Sequence, residues 1–265
     1  MIVFVHGVPD TPALWRPLIS AIGVSPTGCV TPSLPGFGGA IPPGFNATKD
    51  AYATWLIEVL QELGEPAHLV GHDWGALLVL RAASLRPDLV ASWCVANAVI
   101  DADYRGHRTA RAWATPMLGE LTMLAMRDKK RLERGLISGG MPAALAAEET
   151  PHVDRAMRQS ILRLYRSAHG LKFEGAWVDD LVRLPARGQV FWGEVDPFVD
   201  LTVAERFARA RRVPLHVEKG AGHWACHERA EQFAAVLTPE ILHMTRASLG
   251  VRPITTPNVA APVRS

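Results

Sequence analysis

The segment His68-Leu-Val-Gly71-His72-Asp73-Trp74-Gly75-Ala76-Leu77 runs from a short apolar stretch into Gly-x-Asp-x-Gly and then at once into strong helix formers. The pattern describes a strand that stops, a turn so tight that glycine is wanted on both sides of one residue, and a helix that starts immediately. Such a turn pushes its central side chain out at the carboxyl edge of a sheet and aims the next backbone N–H groups at the same spot. The central residue here is a carboxylate. A serine in that place would attack a carbonyl, whereas an aspartate attacks saturated carbon and leaves a covalent alkyl ester. The competing reading is a loop turn with a solvated Asp, and the rest of the chain decides between them.

Apolar runs at 2–5, 28–32, 67–71, 91–96, 188–192 and 213–218 read as six strands, most of them separated by stretches with helical periodicity such as Ala51 to Leu63. Strands alternating with helices predict an α/β fold with a parallel sheet covered on both faces. The first run ends in His6-Gly7-Val8-Pro9, the fifth in Gly193-Glu-Val-Asp196, and the last in Gly220-Ala-Gly222-His223-Trp224. Nucleophile, acid and base thus follow the chain order Asp73, Asp196, His223, each just past the end of a strand. Asp196 is favoured as the acid over Asp101 and Asp103, which follow Asn97-Ala98 after the fourth strand.

This ordered set resembles the α/β-hydrolase superfamily over roughly residues 1–245, specifically its branch with an aspartate nucleophile. Epoxide hydrolases, haloalkane dehalogenases and haloacetate dehalogenases form that branch. His6-Gly7-Val8-Pro9 is similar to the His-Gly-x-Pro turn of epoxide hydrolases, which implies oxyanion-hole donors at the Val8 and Trp74 amides, a cis Val8–Pro9 peptide, and pocket positions at His6 and Pro9. Gly222-His223-Trp224 fits the Gly-His-Trp of the same enzymes. Pro32-Ser-Leu-Pro-Gly-Phe-Gly38 is a further marker of the fold. The superfamily usually carries an extra strand pair before the His-Gly turn, and here only Met1–Val5 precede it, so a six-stranded sheet is expected unless the start lies upstream.

Between 98 and 182 strand signals vanish, and helical segments are punctuated at Pro116, Gly139-Gly140, Pro142, Pro151 and Gly170. The expected organisation is therefore a core of 1–97 and 183–248, with a helical lid at 98–182 over the carboxyl edge. The stretch 251–265, rich in proline and without period, reads as a disordered tail.

Composition narrows the function classes. With 265 residues, 48% hydrophobic and 20% charged, the chain can bury one large core. A formal charge of +2 does not call for nucleic acid, and the basic run Arg127–Arg134 has the mixed signs of a solvated helix face. Cys29, Cys94 and Cys226 cannot pair fully and are expected reduced. No apolar run approaches the roughly 18 residues of a membrane span, and no leader precedes the first strand, so a cytoplasmic monomer or homodimer is expected. His223 and His227 are four apart but lack the Glu of a His-Glu-x-x-His site, so neither a metal nor an organic cofactor is expected, only a small lipophilic substrate and water.

Neighbouring residues discriminate among the chemistries open to Asp73. Haloalkane dehalogenases place Asn after His-Gly to hold halide, where this chain has Val8. Haloacetate dehalogenases place arginines after the nucleophile, where this chain has Trp74, Leu77 and Leu78. Epoxide hydrolases need lid tyrosines, because an alkoxide leaves poorly without a proton donor. Of three tyrosines, Tyr165 in Leu164-Tyr165-Arg166 resembles that pattern, and Tyr52 lies outside the lid. The second donor is open between Tyr104, His107 and Trp113, the last two also being pocket candidates; one tyrosine is the remaining possibility. His68, His72 and His227 read as packed, hydrogen-bonded side chains. The expected activity is epoxide hydrolysis, with haloalkane dehalogenation or a non-catalytic small-molecule receptor as alternatives.

Overall fold

The computed structural model describes residues 1–238 apart from 24, 26 and 27. The predicted tail, and positions 239–248 of the predicted core, lie outside the described residues. Six strands form one sheet: β1 Ile2–Val5, β2 Cys29–Val30, β3 Ala67–His72, β4 Val90–Ala96, β5 Gly188–Gly193 and β6 Leu215–Glu218. Their order is β2-β1-β3-β4-β5-β6, and every pairing is parallel. All six predicted strands are present. β2 is shorter than its apolar run because only Ile2↔Cys29 and Val3↔Val30 pair, and Pro32 beyond it has no N–H to extend the ladder.

Strands buried on both faces read as continuous apolar runs, and their two-residue period deals alternate side chains to two cores. Val3, Val5, Leu69, Val95, Val190 and Trp192 join one cluster with α2 (Lys49–Glu62), α3 (Trp74–Leu85) and α10 (Leu201–Arg211). Ile2, Phe4, Val70, Cys94, Ala96 and Phe191 join the other with α1 (Arg16–Ile22) and the helical residues 230–238. Helix α3 is buried from Trp74 through Ser84, which explains a sequence apolar on all sides.

The chain passes from β1 to β2 on one side and then places β3 on the other side of β1. The loops leaving β1 and β3 therefore diverge, and the crevice between them is where an open α/β sheet receives a ligand. Val8 follows β1 and Asp73 follows β3 at that crevice.

Between β4 and β5 the chain forms α4 (Arg108–Ala114), α5 (Leu118–Ala125), α6 (Lys129–Ser138), α7 (Ala143–Glu149), α8 (Arg155–Ser167) and α9 (Ala176–Asp179), with no strand among the described residues. Helix α8 begins where Asp154 Oδ1 accepts the Met157 N–H at 2.8 Å, and it buries Met157, Ile161, Leu164 and Tyr165 along one stripe. The three cysteines are free, as expected. Among the described residues no helix is long and apolar enough to cross a membrane.

Candidate active site

The glycines around Asp73 are there because no other residue fits. A Cβ on Gly75 would sit 2.0 Å from the Val5 carbonyl oxygen, and one on Gly71 would sit 2.6 Å from the Gly75 carbonyl oxygen. A Cβ on Gly7 would meet the Asp73 Cβ at 2.5 Å. Asp73 itself holds φ 50° and ψ −123°, a left-handed conformation that costs about 1–3 kcal/mol in a residue with a side chain. The turn thus brings the first helical turn of α3 against the end of β1. The Val8–Pro9 peptide is cis, as predicted, and the Val8 N–H donates to Asp73 Oδ1 at 2.8 Å.

The other oxygen faces His223. His223 Nε2 lies 3.5 Å from Asp73 Oδ2, and His223 Nδ1 donates to Asp196 Oδ2 at 2.8 Å. Asp196 also accepts the Asn97 Nδ2–H at 2.9 Å and the Phe198 and Val199 amides at 2.8 and 3.1 Å. Burial pushes the Asp196 carboxyl up, but His223 and these donors outweigh it and hold the group below the usual carboxylate range. Asp73 is likewise lowered: burial opposes ionisation, while His223, His72 and the Trp74 amide favour it. For His223 burial opposes the charge, yet Asp196 and Asp73 together push the imidazole up to about 10.

Asp73 and His223 open onto a cavity of about 670 Å³ shared between the sheet edge and the helical insertion. Val8, Pro9, Asp73, His223 and Trp224 line it from the core, and His107, Trp113 and Tyr165 from the insertion. The remaining wall is mostly apolar, with Ala125, Met126, Leu132 and Leu136. Tyr165 packs edge-on between Trp74 and Trp113, with ring centroids 5.4 and 5.0 Å away. Burial, and then the nearby Asp73 charge, raise its phenol well above the ordinary value.

Two expected positions are corrected. His6 is fully buried and absent from the cavity wall: its Nδ1 donates to the Gly7 carbonyl at 2.9 Å and its Nε2 accepts the Leu34 N–H at 3.0 Å. It ties the turn to the loop after β2, and burial drives its pKa down to about 4. Tyr104 does not reach the main cavity, because its hydroxyl donates to the Phe198 carbonyl at 2.8 Å. It lines a smaller space that also touches Asp73 and His107.

Sequence reasoning missed four residues that the fold brings to this site. Asn97 donates to Asp196, and Phe198 packs edge-on against the His223 ring at 5.0 Å. Asp10 Oδ1 accepts the Trp224 indole N–H at 3.1 Å, and its Oδ2 lies 3.3 Å from His72 Nδ1. His72 in turn donates from Nε2 to the His223 carbonyl at 2.9 Å. Beside them Glu149, at the end of α7, accepts both the amide and the hydroxyl of Thr11 at 3.0 Å. The only available signals were the acids' places beside the His-Gly-Val-Pro turn and among the insertion's alanines. His68 and His227 are packed as expected, bonded to Ser92 Oγ at 2.7 Å and to the Leu14 carbonyl at 3.0 Å.

Comparison with known proteins agrees with this fold. Residues 2–236 match the alpha/beta hydrolase family. The chain is 25% identical to epoxide hydrolase A of Mycobacterium tuberculosis (strain ATCC 25618 / H37Rv) over 89% of its length and 88% of that protein's. It is 28% identical to a haloalkane dehalogenase of Psychrobacter cryohalolentis over 37% of its length and 34% of that protein's. Among solved structures, a haloalkane dehalogenase from Bradyrhizobium elkani USDA94 superposes with a TM-score of 0.75 at 23% identity, covering 93% of this chain and 91% of the other. This chain belongs to the alpha/beta hydrolase family and is a hydrolase.

Proposed function

We propose that this hydrolase opens a lipophilic epoxide to a vicinal diol through an ester on Asp73. The observation that carries the reading is Tyr165: it lines the same cavity as Asp73 and His223, and no acceptor among the described residues takes its hydroxyl proton. Asp73 Oδ2 attacks a ring carbon, the C–O bond breaks, and its electron pair goes to the ring oxygen, which Tyr165 hydrogen-bonds and protonates. Because burial and the Asp73 charge make Tyr165 a reluctant acid, it yields its proton only to a base as strong as an alkoxide.

Ester formation then changes the base. While Asp73 is an anion it helps keep His223 protonated. Once Asp73 is esterified that charge is gone, and the imidazole falls toward the range where a neutral ring takes a proton from water. Hydroxide attacks the ester carbonyl, and negative charge collects on the oxygen facing the Val8 and Trp74 amides. Hydrolysis of a neutral ester to a carboxylate and an alcohol releases one proton, which restores Tyr165.

The similarity to an epoxide hydrolase along most of the chain supports this reading. Halide displacement by the same Asp73 is the second reading, favoured by one observation: the buried Trp74 Nε1–H has no hydrogen-bond acceptor within 3.5 Å among the described residues. Trp74 is absent from the main cavity wall, however, and Val8 supplies no side-chain donor there. A panel of terminal epoxides and primary haloalkanes, assayed for diol and halide, tests the reading. Diol from epoxides with little halide release is expected; halide release without diol contradicts it.

A further inference from the structure

His107 is an unusual residue for the work it does at the start of α4. It is the N-cap, with an extended backbone, and its Nδ1 accepts the Ala110 N–H at 3.2 Å. Caps are ordinarily the short oxygen side chains of Ser, Thr, Asp or Asn. An imidazole in that place fills the cap with one nitrogen and projects a second beyond it.

The cap bond fixes where the hydrogen sits. A ring nitrogen that accepts a backbone N–H carries no proton, so the neutral ring is N–H at Nε2. Burial opposes a second proton, and with His223 and Arg111 it outweighs the pull of Asp73 and Asp196, bringing the ring down to about 4. Phe198 holds the ring from one side with centroids 5.1 Å apart. His107 lines both the main cavity and the smaller space that meets it at Asp73, and no protein acceptor among the described residues takes its Nε2–H. Of the other candidates for a second donor, the Tyr104 hydroxyl is spent on the Phe198 carbonyl, while Trp113 packs its ring against that of Tyr165.

We propose that the His107 Nε2–H is the second catalytic donor, holding the ring oxygen beside the Tyr165 hydroxyl as Asp73 opens the epoxide. This rests on the epoxide reading above. As the C–O bond breaks and its electron pair moves to oxygen, Tyr165 delivers the proton. His107 keeps its own proton and stabilises the developing charge by hydrogen bonding alone, as a preorganised neutral donor does. It acts on ester formation and has no part in ester hydrolysis, where charge collects instead at the Val8 and Trp74 amides.

Two substitutions separate the cap from the donor. His107→Asn keeps a good cap but is too short to place an N–H at the cavity, whereas His107→Gln gives up the cap and keeps an amide N–H at comparable reach. Ester formation is read by rapid-quench intact mass in a His223→Gln background, ester hydrolysis by turnover in the single variants, and folding by thermal unfolding. In His107→Asn we expect ester formation to slow at least about tenfold, equivalent to about 1.4 kcal/mol, with hydrolysis of the ester unchanged. His107→Gln should unfold at a lower temperature than His107→Asn and yet form ester faster. The proposal is overturned if His107→Asn forms ester at the wild-type rate, or if the rate order follows the stability order. A wild type that makes diol while both variants keep full speed refutes His107 alone; a wild type that makes no diol refutes the epoxide reading and this inference with it.

Discussion

Asp73 carries a left-handed φ, two glycine neighbours packed against backbone, and a carboxylate gripped between an amide and an imidazole. Strain of that kind persists only where the surroundings over-determine it, and here the neighbouring turns allow no other path. At the same scale the proposed proton donor, Tyr165, has a direct test. Tyr165→Phe removes one oxygen from a ring wedged between Trp74 and Trp113 and leaves the packing, so folding should be unchanged. We expect epoxide kcat/KM to fall at least about tenfold, or about 1.4 kcal/mol of transition-state stabilisation, while any haloalkane turnover is far less affected, since halide leaves without a proton. Epoxide turnover at the wild-type rate would make Tyr165 a packing residue. Gly75→Ala makes the complementary test of the turn: with a Cβ 2.0 Å from the Val5 carbonyl oxygen, the helix must move away, and soluble expression should drop sharply.

At the scale of elements, α7 is fastened to the loop after β1 through Glu149 and Thr11. Burial, and then the Asp10 charge, push the Glu149 carboxyl up to about 8, and its Oε2 has no hydrogen-bond partner among the described residues. A carboxyl whose folded pKa is raised contributes fully below its unfolded value near 4.5 and loses that contribution as pH rises toward about 8. Glu149→Gln keeps an acceptor for Thr11 and never ionises. Its stability advantage over the wild type should therefore grow between pH 5 and pH 9, reaching at least about 1.4 kcal/mol, one pKa unit's worth. Urea unfolding at the two pH values measures it, and an advantage that does not change with pH would refute the assignment of Glu149 as a buried neutral acid. The strands that position this region were legible in the sequence because a parallel sheet buried on both faces writes each strand as an apolar run. The links Asp10–His72–His223, Glu149–Thr11 and Asn97–Asp196 were not. Each joins residues far apart in sequence, and nothing in local composition says which buried acid meets which donor.

Across the whole molecule, the meeting of Asp73, Asp196 and His223 could be read from order alone, because each follows the end of a strand and parallel strands deliver those ends to one edge. Direction could not be read. His6 and Tyr104 sit at motif-like positions but turn their polar atoms to the Gly7, Leu34 and Phe198 backbones, whereas Phe198 reaches the cavity with no motif to announce it. What unites these pieces in the proposed reaction is a covalent step on Asp73, and trapping it is the most direct test. His223→Gln removes the base that activates water while leaving Asp73 and the Val8 amide in place. Incubated with a lipophilic epoxide that the wild type converts to diol, this variant should gain the mass of one substrate molecule, with the added mass mapping to the peptide that contains Asp73. A wild type that consumes the epoxide, paired with a folded His223→Gln protein that gains no mass or gains it on another residue, would contradict the account.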